Sequence, residues 1–369
     1  MDRASIFRAT IDKYLEPVDQ FRRDPDVTEI MINGPDEVYV ERRGRLELTR
    51  ASFGDPESLL AMARNIAQYT NKRITPVTAR FDSRLPDGSR VHIVMPRCSL
   101  RGLCIAIRKF SLTGISLEGM VESGSLTPEA KEYLEIMVEL ERNFIVSGGT
   151  GSGKTSFLNA ISLKIPATER IIVIEDTAEL QLKQPHVLSF ETSGPDRHGL
   201  GAVTIRDLFH SALRMRPDRI VIGECRGGEA LDLIQAMTSG HGGSMSTLHA
   251  NTAADALNRL ETMALMSGVN IPLHALRPQV SSAIDVVIQL SRLPDGNRVV
   301  TEISEVKGLS DQDRYQLNSM FEQGEFRAKT DMPMARLRRT GKPSIFGAAL
   351  KQSGLTGKIV LTKQLFSSS

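Results

Sequence analysis

The sequence carries almost no excess charge: 46 Lys and Arg stand against 44 Asp and Glu, a net of +2, and the basic residues are spread along the chain. A chain whose main partner is nucleic acid carries a basic excess or a concentrated basic stripe, so no nucleic-acid partner is expected. Cysteine is scarce. Cys98, Cys104 and Cys225 form no C-x-x-C pair and no metal-ligand spacing, which excludes a disulfide scaffold and fits a reducing compartment with thiols as small buried hydrophobes. No stretch approaches 18 uninterrupted apolar residues, so no membrane-spanning helix is expected. The opening MDRASIFRATIDKY mixes charges among its apolar residues and has no h-region, so no secretory signal is expected either. These absences together point to the cytoplasm, with any membrane association peripheral.

What is present is enough apolar residue, 40% of 369 positions, to build the cores of two domains. Ile6, Tyr14, Leu15, Val18 and Phe21 recur at helical spacing and predict an opening helix over 1–22. From 23 to 110 the pattern is that of an α+β domain built mainly on an antiparallel sheet. EIMI, EVYVE and RLELT read as a meander, DPESLLAMARNIAQYT as a helix capped by Asp55, RLPDGSRVHIVMP as a hairpin and LCIAIRKF as a strand. Residues 111–127 show little periodicity and many Gly and Ser, and read as a linker. From 128 to 307 short β-branched runs (NFIVSG, RIIVIED, VLSFE, RIVIGE, SMSTLHA) alternate with helical segments, the grammar of a parallel sheet covered on both faces. RLPDGNRVVTEISEV is a further hairpin whose RLPDG repeats residues 84–88 (the same turn chemistry, not a duplicated domain). Beyond 308 the patterning is weak, and 308–369 reads as a C-terminal extension of unknown role.

The segment Gly148-Gly149-Thr150-Gly151-Ser152-Gly153-Lys154-Thr155 satisfies G-x-x-x-x-G-K-[ST], after a strand and at the opening of a helix. Glycines let backbone N–H groups turn inward around phosphate oxygens. Gly149, Thr150, Gly151, Ser152, Gly153, Lys154, Thr155 and Ser156 are therefore the candidate phosphate-binding residues. Lys154 can reach the β- and γ-phosphates, and Thr155 can bind Mg²⁺. Such a cradle also needs acids, and two strands end in them: Glu175-Asp176 and Glu224. At the carboxyl edge of a parallel sheet both would converge on the loop. His241 and His249 lie in a Gly-rich segment, and His249 is the stronger candidate for a γ-phosphate contact. Arg84, Arg90 and Arg108 of the first domain are candidate arginine fingers.

Taken together, the chain resembles the secretion ATPase superfamily, the motors of type II and type IV secretion and of type IV pili, from about residue 20 to about 307. The marks are GGTGSGKT, an acidic box IEDTAEL, an atypical Walker B segment LRMRPDRIVIGECRGGEA and a histidine box TSGHGGSMSTLHANTA, in that order. RLPDGSRVHIVMP, IRKF and SRLPDGNRVVTEISEV look most like the Tad/Flp pilus assembly ATPases, with conjugation-type secretion ATPases as the near competitor. The resemblance implies an α/β fold, with a RecA-like P-loop domain preceded by a smaller, PAS-like α+β sheet domain. It also implies a homohexameric ring that binds ATP and Mg²⁺ between the two domains. By the same resemblance Glu175, Glu224, His249, Arg90 and Arg108 are catalytic, and Thr155 and Glu224 serve the metal. No aspartate precedes Glu224, so its contact with Mg²⁺ would run partly through water. The implied partner is an inner-membrane platform protein of a pilus or secretion system, met at the cytoplasmic face.

Overall fold

The computed structural model describes residues 10–70, 72, 74–109, 115–195, 200–324 and 337–366. The chain divides into two compact units, Met1–Thr113 and Gly114–Ser369.

In the first unit six antiparallel strands, β1 (Val27–Asn33), β2 (Val38–Arg42), β3 (Arg45–Leu48), β4 (Arg80–Arg84), β5 (Arg90–Val94) and β6 (Cys104–Arg108), pair in the order β3-β2-β1-β6-β5-β4. Alternation turns Ile30, Ile32, Val91, Ile93, Ile105 and Ile107 into one core, which the helix Pro56–Tyr69 covers with Leu59, Met62 and Ile66. That helix starts where Asp55 accepts the Ser58 backbone N–H at 2.8 Å, a cap worth ~1 kcal/mol. Of the predicted opening helix, residues 1–9 lie outside the described residues. The remainder is helical over 10–14 and then breaks into a 3₁₀ turn at Glu16–Val18 and a helix at Asp19–Arg23, because Pro17 has no N–H to continue the ladder.

The second unit is built on nine strands: β7 (Phe144–Gly148), β8 (Ile171–Glu175), β9 (Val187–Glu191), β10 (Arg219–Ile222), β11 (Met245–Leu248), β12 (Val286–Arg292), β13 (Arg298–Leu309), β14 (Tyr315–Gln323) and β15 (Leu337–Arg339). Their order is β15-β14-β13-β12-β7-β11-β10-β8-β9. From β12 to β9 all neighbours run parallel, and β13 to β15 extend the sheet antiparallel. Strand β7 is buried at every position because helices cover both faces. Phe144 and Val146 join the core under helices Pro128–Glu139 and Lys154–Ser162, while Ile145 joins the core under helices Glu229–Thr238 and Ala253–Leu265.

Two segments differ from their sequence reading. The stretch read as a linker contains a helix, Leu117–Glu122, whose Ser116 side chain caps Gly119 N–H. Six residues are too few to show a period, but Leu117 and Met120 give it a buried face. The segment beyond 308 carries β14, β15 and the helix Gly347–Ser353, and it buries Leu337, Phe346, Leu350, Ile359, Leu365 and Phe366 in the second unit's core.

Candidate active site at the P-loop

Glycine geometry makes the phosphate cradle. Gly151 and Gly153 have φ of +72° and +92°, the left-handed region that L side chains enter only at a cost. At Gly148 an added Cβ would come within 2.5 Å of both the Leu290 carbonyl oxygen and Ser152 Oγ, so only glycine lets β12 lie against the loop. Ser152 Oγ donates to the Gly149 carbonyl at 2.9 Å and closes the turn. Lys154 is 7% exposed, and its Nζ donates to the Gly148 and Gly149 carbonyls at 3.1 and 3.0 Å. The ammonium is thus held inside the loop it opens. A cradle with no room for side chains, lined by a buried ammonium at a helix N-terminus, fits the phosphates of a nucleotide. Thr155 follows as the second residue of the helix Lys154–Ser162, and Ser156 lines a cavity of about 60 Å³ behind the loop with Phe157 and Leu290.

The parallel sheet brings the other groups to the same edge. β8 ends at Glu175, β10 runs into Gly223-Glu224, and β11 runs into His249, all at carboxyl ends beside the end of β7. His249 Nδ1 lies 3.4 Å from Lys154 Nζ, and His249 Nε2 lies 2.9 Å from Glu224 Oε1. Partial burial, with the Lys154 charge adding to it and Glu224 opposing, lowers the imidazole pKa from its ordinary 6.5. His249 is therefore neutral at pH 7. Its Nε2–H donates to Glu224, and its Nδ1 faces the Lys154 ammonium as an acceptor. Arg226 binds the other Glu224 oxygen and reaches Asp176 Oδ2 at 3.3 Å.

Glu175 is 4% exposed. Its Oε1 accepts the backbone N–H groups of Glu179 and Leu180 at 3.0 and 3.2 Å, so the acidic box folds back on its own first acid. A Cβ on Gly223 would fall 2.8 Å from Glu175 Cγ; the missing side chain is what seats this carboxyl between β8 and β10. Thr247 Oγ1 donates to the Gly223 carbonyl at 2.8 Å and fixes the end of β10 against β11. His241 precedes β11, at the opposite edge of the sheet, and is not brought to the loop.

In the first unit Arg90 faces Arg84 on β4 and Arg108 on β6 in the strand register. Directly opposed residues share a face, and like charges so placed repel. The three arginines thus form one row, on the face away from buried Val91 and Ile107.

Sequence reading missed four residues of the second unit. Arg226 stood in the quoted Walker B segment but was not singled out. Gln289 on β12 sits among the groups behind His249. Arg292 and Arg298, a cross-strand pair on β12 and β13, approach the P-loop from its outer side: a Cβ on Gly151 would meet Arg292 Nη1 at 3.3 Å, and one on Gly153 would meet Arg298 Cδ at 3.2 Å. The repeated RLPDG wording was the available signal, since it brackets an arginine pair in both hairpins.

A phosphate cradle at the carboxyl edge of a doubly covered parallel sheet, with a buried lysine and strand-end acids, defines a RecA-like P-loop ATPase. The chain belongs to the family described as type II/IV secretion system protein, which matches residues 12–333. It is 34% identical over 317 residues to the type IV secretion system protein VirB11 of Brucella suis, covering 78% of this chain and 88% of that one. It is 32% identical over 283 residues to a putative conjugal transfer protein of Mycobacterium tuberculosis, covering 75% of this chain and 80% of that one. Among solved structures the fold is shared with the Legionella pneumophila ATPase DotB (TM-score 0.55, 20% identity, 83% of this chain and 82% of that one). It is also shared with the pilus retraction motor PilT bound to ADP (TM-score 0.58, 20% identity, 82% and 84%). The chain is accordingly an ATP hydrolase of the secretion class. Among the described residues no helix is long and apolar enough to cross a membrane.

Proposed function

We propose that this protein is the ring-forming ATPase of a type IV secretion machine, hydrolysing Mg·ATP at the cytoplasmic face of an inner membrane to move a platform protein. The observation that carries the reading is the chain Lys154–His249–Glu224 at the mouth of the P-loop. It links the phosphate-binding ammonium to a strand-end acid through one neutral imidazole. In this reading His249 meets the γ-phosphate and reports its presence to Glu224. Thr155 and Glu224 would hold Mg²⁺, Glu224 through water, and the ion would supply charge neutralisation between the β- and γ-phosphates. Glu175, held in place by backbone N–H groups, orients the attacking water. Arg90 and Arg108 meet the nucleotide's charge. A hexameric ring in which nucleotide draws each first unit onto a second then converts turnover into movement. The relatives favour type IV secretion; the arginine-bracketed RLPDG hairpins favour a second reading, assembly of a Tad/Flp-type pilus.

ATP turnover measured across a protein concentration series, with molar mass read at each point, tests the reading. Turnover should rise as hexamers form and vanish in Lys154→Ala. Glu224→Gln should raise the Mg²⁺ concentration needed for half-maximal rate, whereas Glu175→Gln should lower kcat at unchanged Mg²⁺ dependence. Full turnover by a monomer refutes the ring, and DNA-stimulated turnover would point to a nucleic-acid motor.

A further inference from the structure

One buried side chain joins the two halves of this site and belongs to none of its motifs. Gln289 lies on β12, 4% exposed, in register with Ser147, the residue before the P-loop's first glycine. Ser147 Oγ donates to its amide oxygen. Its amide nitrogen donates to the carbonyls of Ala250 and Asn251, at 3.2 and 3.1 Å, the two residues that follow His249. One amide thus spends both N–H groups on the histidine turn and its oxygen on the strand that enters the P-loop. The Gln289 amide is itself buried, so each lost bond leaves one of its polar atoms without a partner. The amide therefore fixes the turn against the loop at one separation. Lys154 and His249 face each other across that separation, at 3.4 Å.

We infer that Gln289 is a positioning residue for hydrolysis: it holds the His249 turn in register with the P-loop, so that displacement of the loop by a γ-phosphate is carried to His249 and Glu224. The inference rests on the catalytic reading of His249 given above. Its alternative is a purely structural amide that satisfies two partly buried carbonyls. The two differ in kinetics. Nucleotide affinity is set by the P-loop itself, which Gln289 does not line, whereas alignment of His249 matters only in the hydrolytic step.

The test uses the full chain with Gln289→Met, which conserves volume and removes all three hydrogen bonds. Ser147→Ala removes only the P-loop side, and His249→Ala serves as reference. Melting temperature, ADP affinity, KM and kcat are measured for each, and for the Gln289→Met/His249→Ala double variant. Gln289→Met should lower kcat about tenfold or more, the scale expected when a reacting group is misplaced, with KM and ADP affinity within about twofold of the parent. Ser147→Ala should show the same split more weakly, and it carries the test if Gln289→Met does not fold. The double variant should be no slower than His249→Ala alone. A normal kcat in both Gln289→Met and Ser147→Ala, with His249→Ala impaired, overturns the inference and leaves the reading of His249 standing. A loss that adds fully to that of His249→Ala overturns it as well. A normal kcat in His249→Ala overturns the reading of His249 and the inference with it.

Discussion

Gly223 shows how a single absent atom can seat a buried carboxyl. Its backbone is not in the left-handed region, so alanine would be tolerated by the main chain, yet an added Cβ would stand 2.8 Å from Glu175 Cγ and 3.1 Å from Oε1. Glu175 would have to leave the Glu179 and Leu180 N–H groups that hold it. Gly223→Ala should therefore lower kcat roughly 10- to 100-fold, the scale of a misplacement near 1 Å, while ADP binding at the untouched P-loop persists. Steady-state kinetics beside an ADP titration checks this; weakened ADP binding would place the damage in the cradle instead. The asymmetry between the two acids is also a residue-scale fact. Glu175 is held by main-chain donors, whereas Glu224 is held by His249 and Arg226, side chains that can move.

Among elements, the two RLPDG hairpins repeat each other bond for bond. Leu85 N–H donates to the Ser89 carbonyl and Leu293 N–H to the Asn297 carbonyl, both at 2.8 Å, and the aspartate of each turn accepts the N–H two residues on, at 2.9 Å. Shared turn chemistry accounts for the wording, since the sheets around the two hairpins are unlike. The helix Pro128–Glu139 shows a different device. Glu132 accepts the backbone N–H groups of Val360, Leu361 and Thr362 at 2.8–3.0 Å, and the Thr362 hydroxyl as well. Burial works against its charge, but the Thr362 hydroxyl and the three N–H groups prevail and hold the carboxyl below its ordinary 4.5. A depressed carboxylate pKa stabilises the fold fully above pH 4.5 and loses that contribution as pH falls through that value and below. Thermal melting from pH 7 to pH 3.5 should show Glu132→Gln less stable than the parent at pH 7, with the difference narrowing toward the acid end. A constant difference across the range would mean that charge is not what captures the C-terminal segment.

At the scale of the molecule, the segment from Leu337 to Phe366 is part of the second unit's core. Phe366 stacks on Tyr133 at 6.0 Å. Glu305, fully buried, accepts from Tyr133, Asn318, Ser344 and the Ile345 N–H. Ending the chain before Leu337 would expose the core surface now covered by Phe346, Leu350, Ile359 and Phe366 and leave Glu305 with two donors fewer. Large core deletions cost about 3–5 kcal/mol for a single aromatic side chain, so the truncated protein should melt at least ~10 °C lower or fail to fold. Differential scanning calorimetry decides it, and an unchanged transition would show the segment to be an appendage.

The sequence by itself determined whatever depends on neighbours along the chain. The P-loop needs eight consecutive residues, the caps need three or four, and strand and helix periods need one short window each. Glu175, Glu224 and His249 were legible because a parallel sheet gathers the ends of its strands at one edge, whatever their order. Tertiary structure alone decided what depends on which strands become neighbours. The placement of β12 beside β7 put Gln289 against Ser147 and the Leu290 carbonyl against Gly148, and no local pattern encodes that pairing. Arg292 and Arg298 were visible as a hairpin, but only the sheet order laid them along Gly151 and Gly153. The C-terminal segment read as unpatterned because its helically spaced buried pair, Phe346 and Leu350, belongs to a seven-residue helix and its cap, and Ile359 falls outside it. Each is buried in the second unit's core, and the segment is held there by Glu305 at Ile345 and by Glu132 at Thr362, 230 positions away.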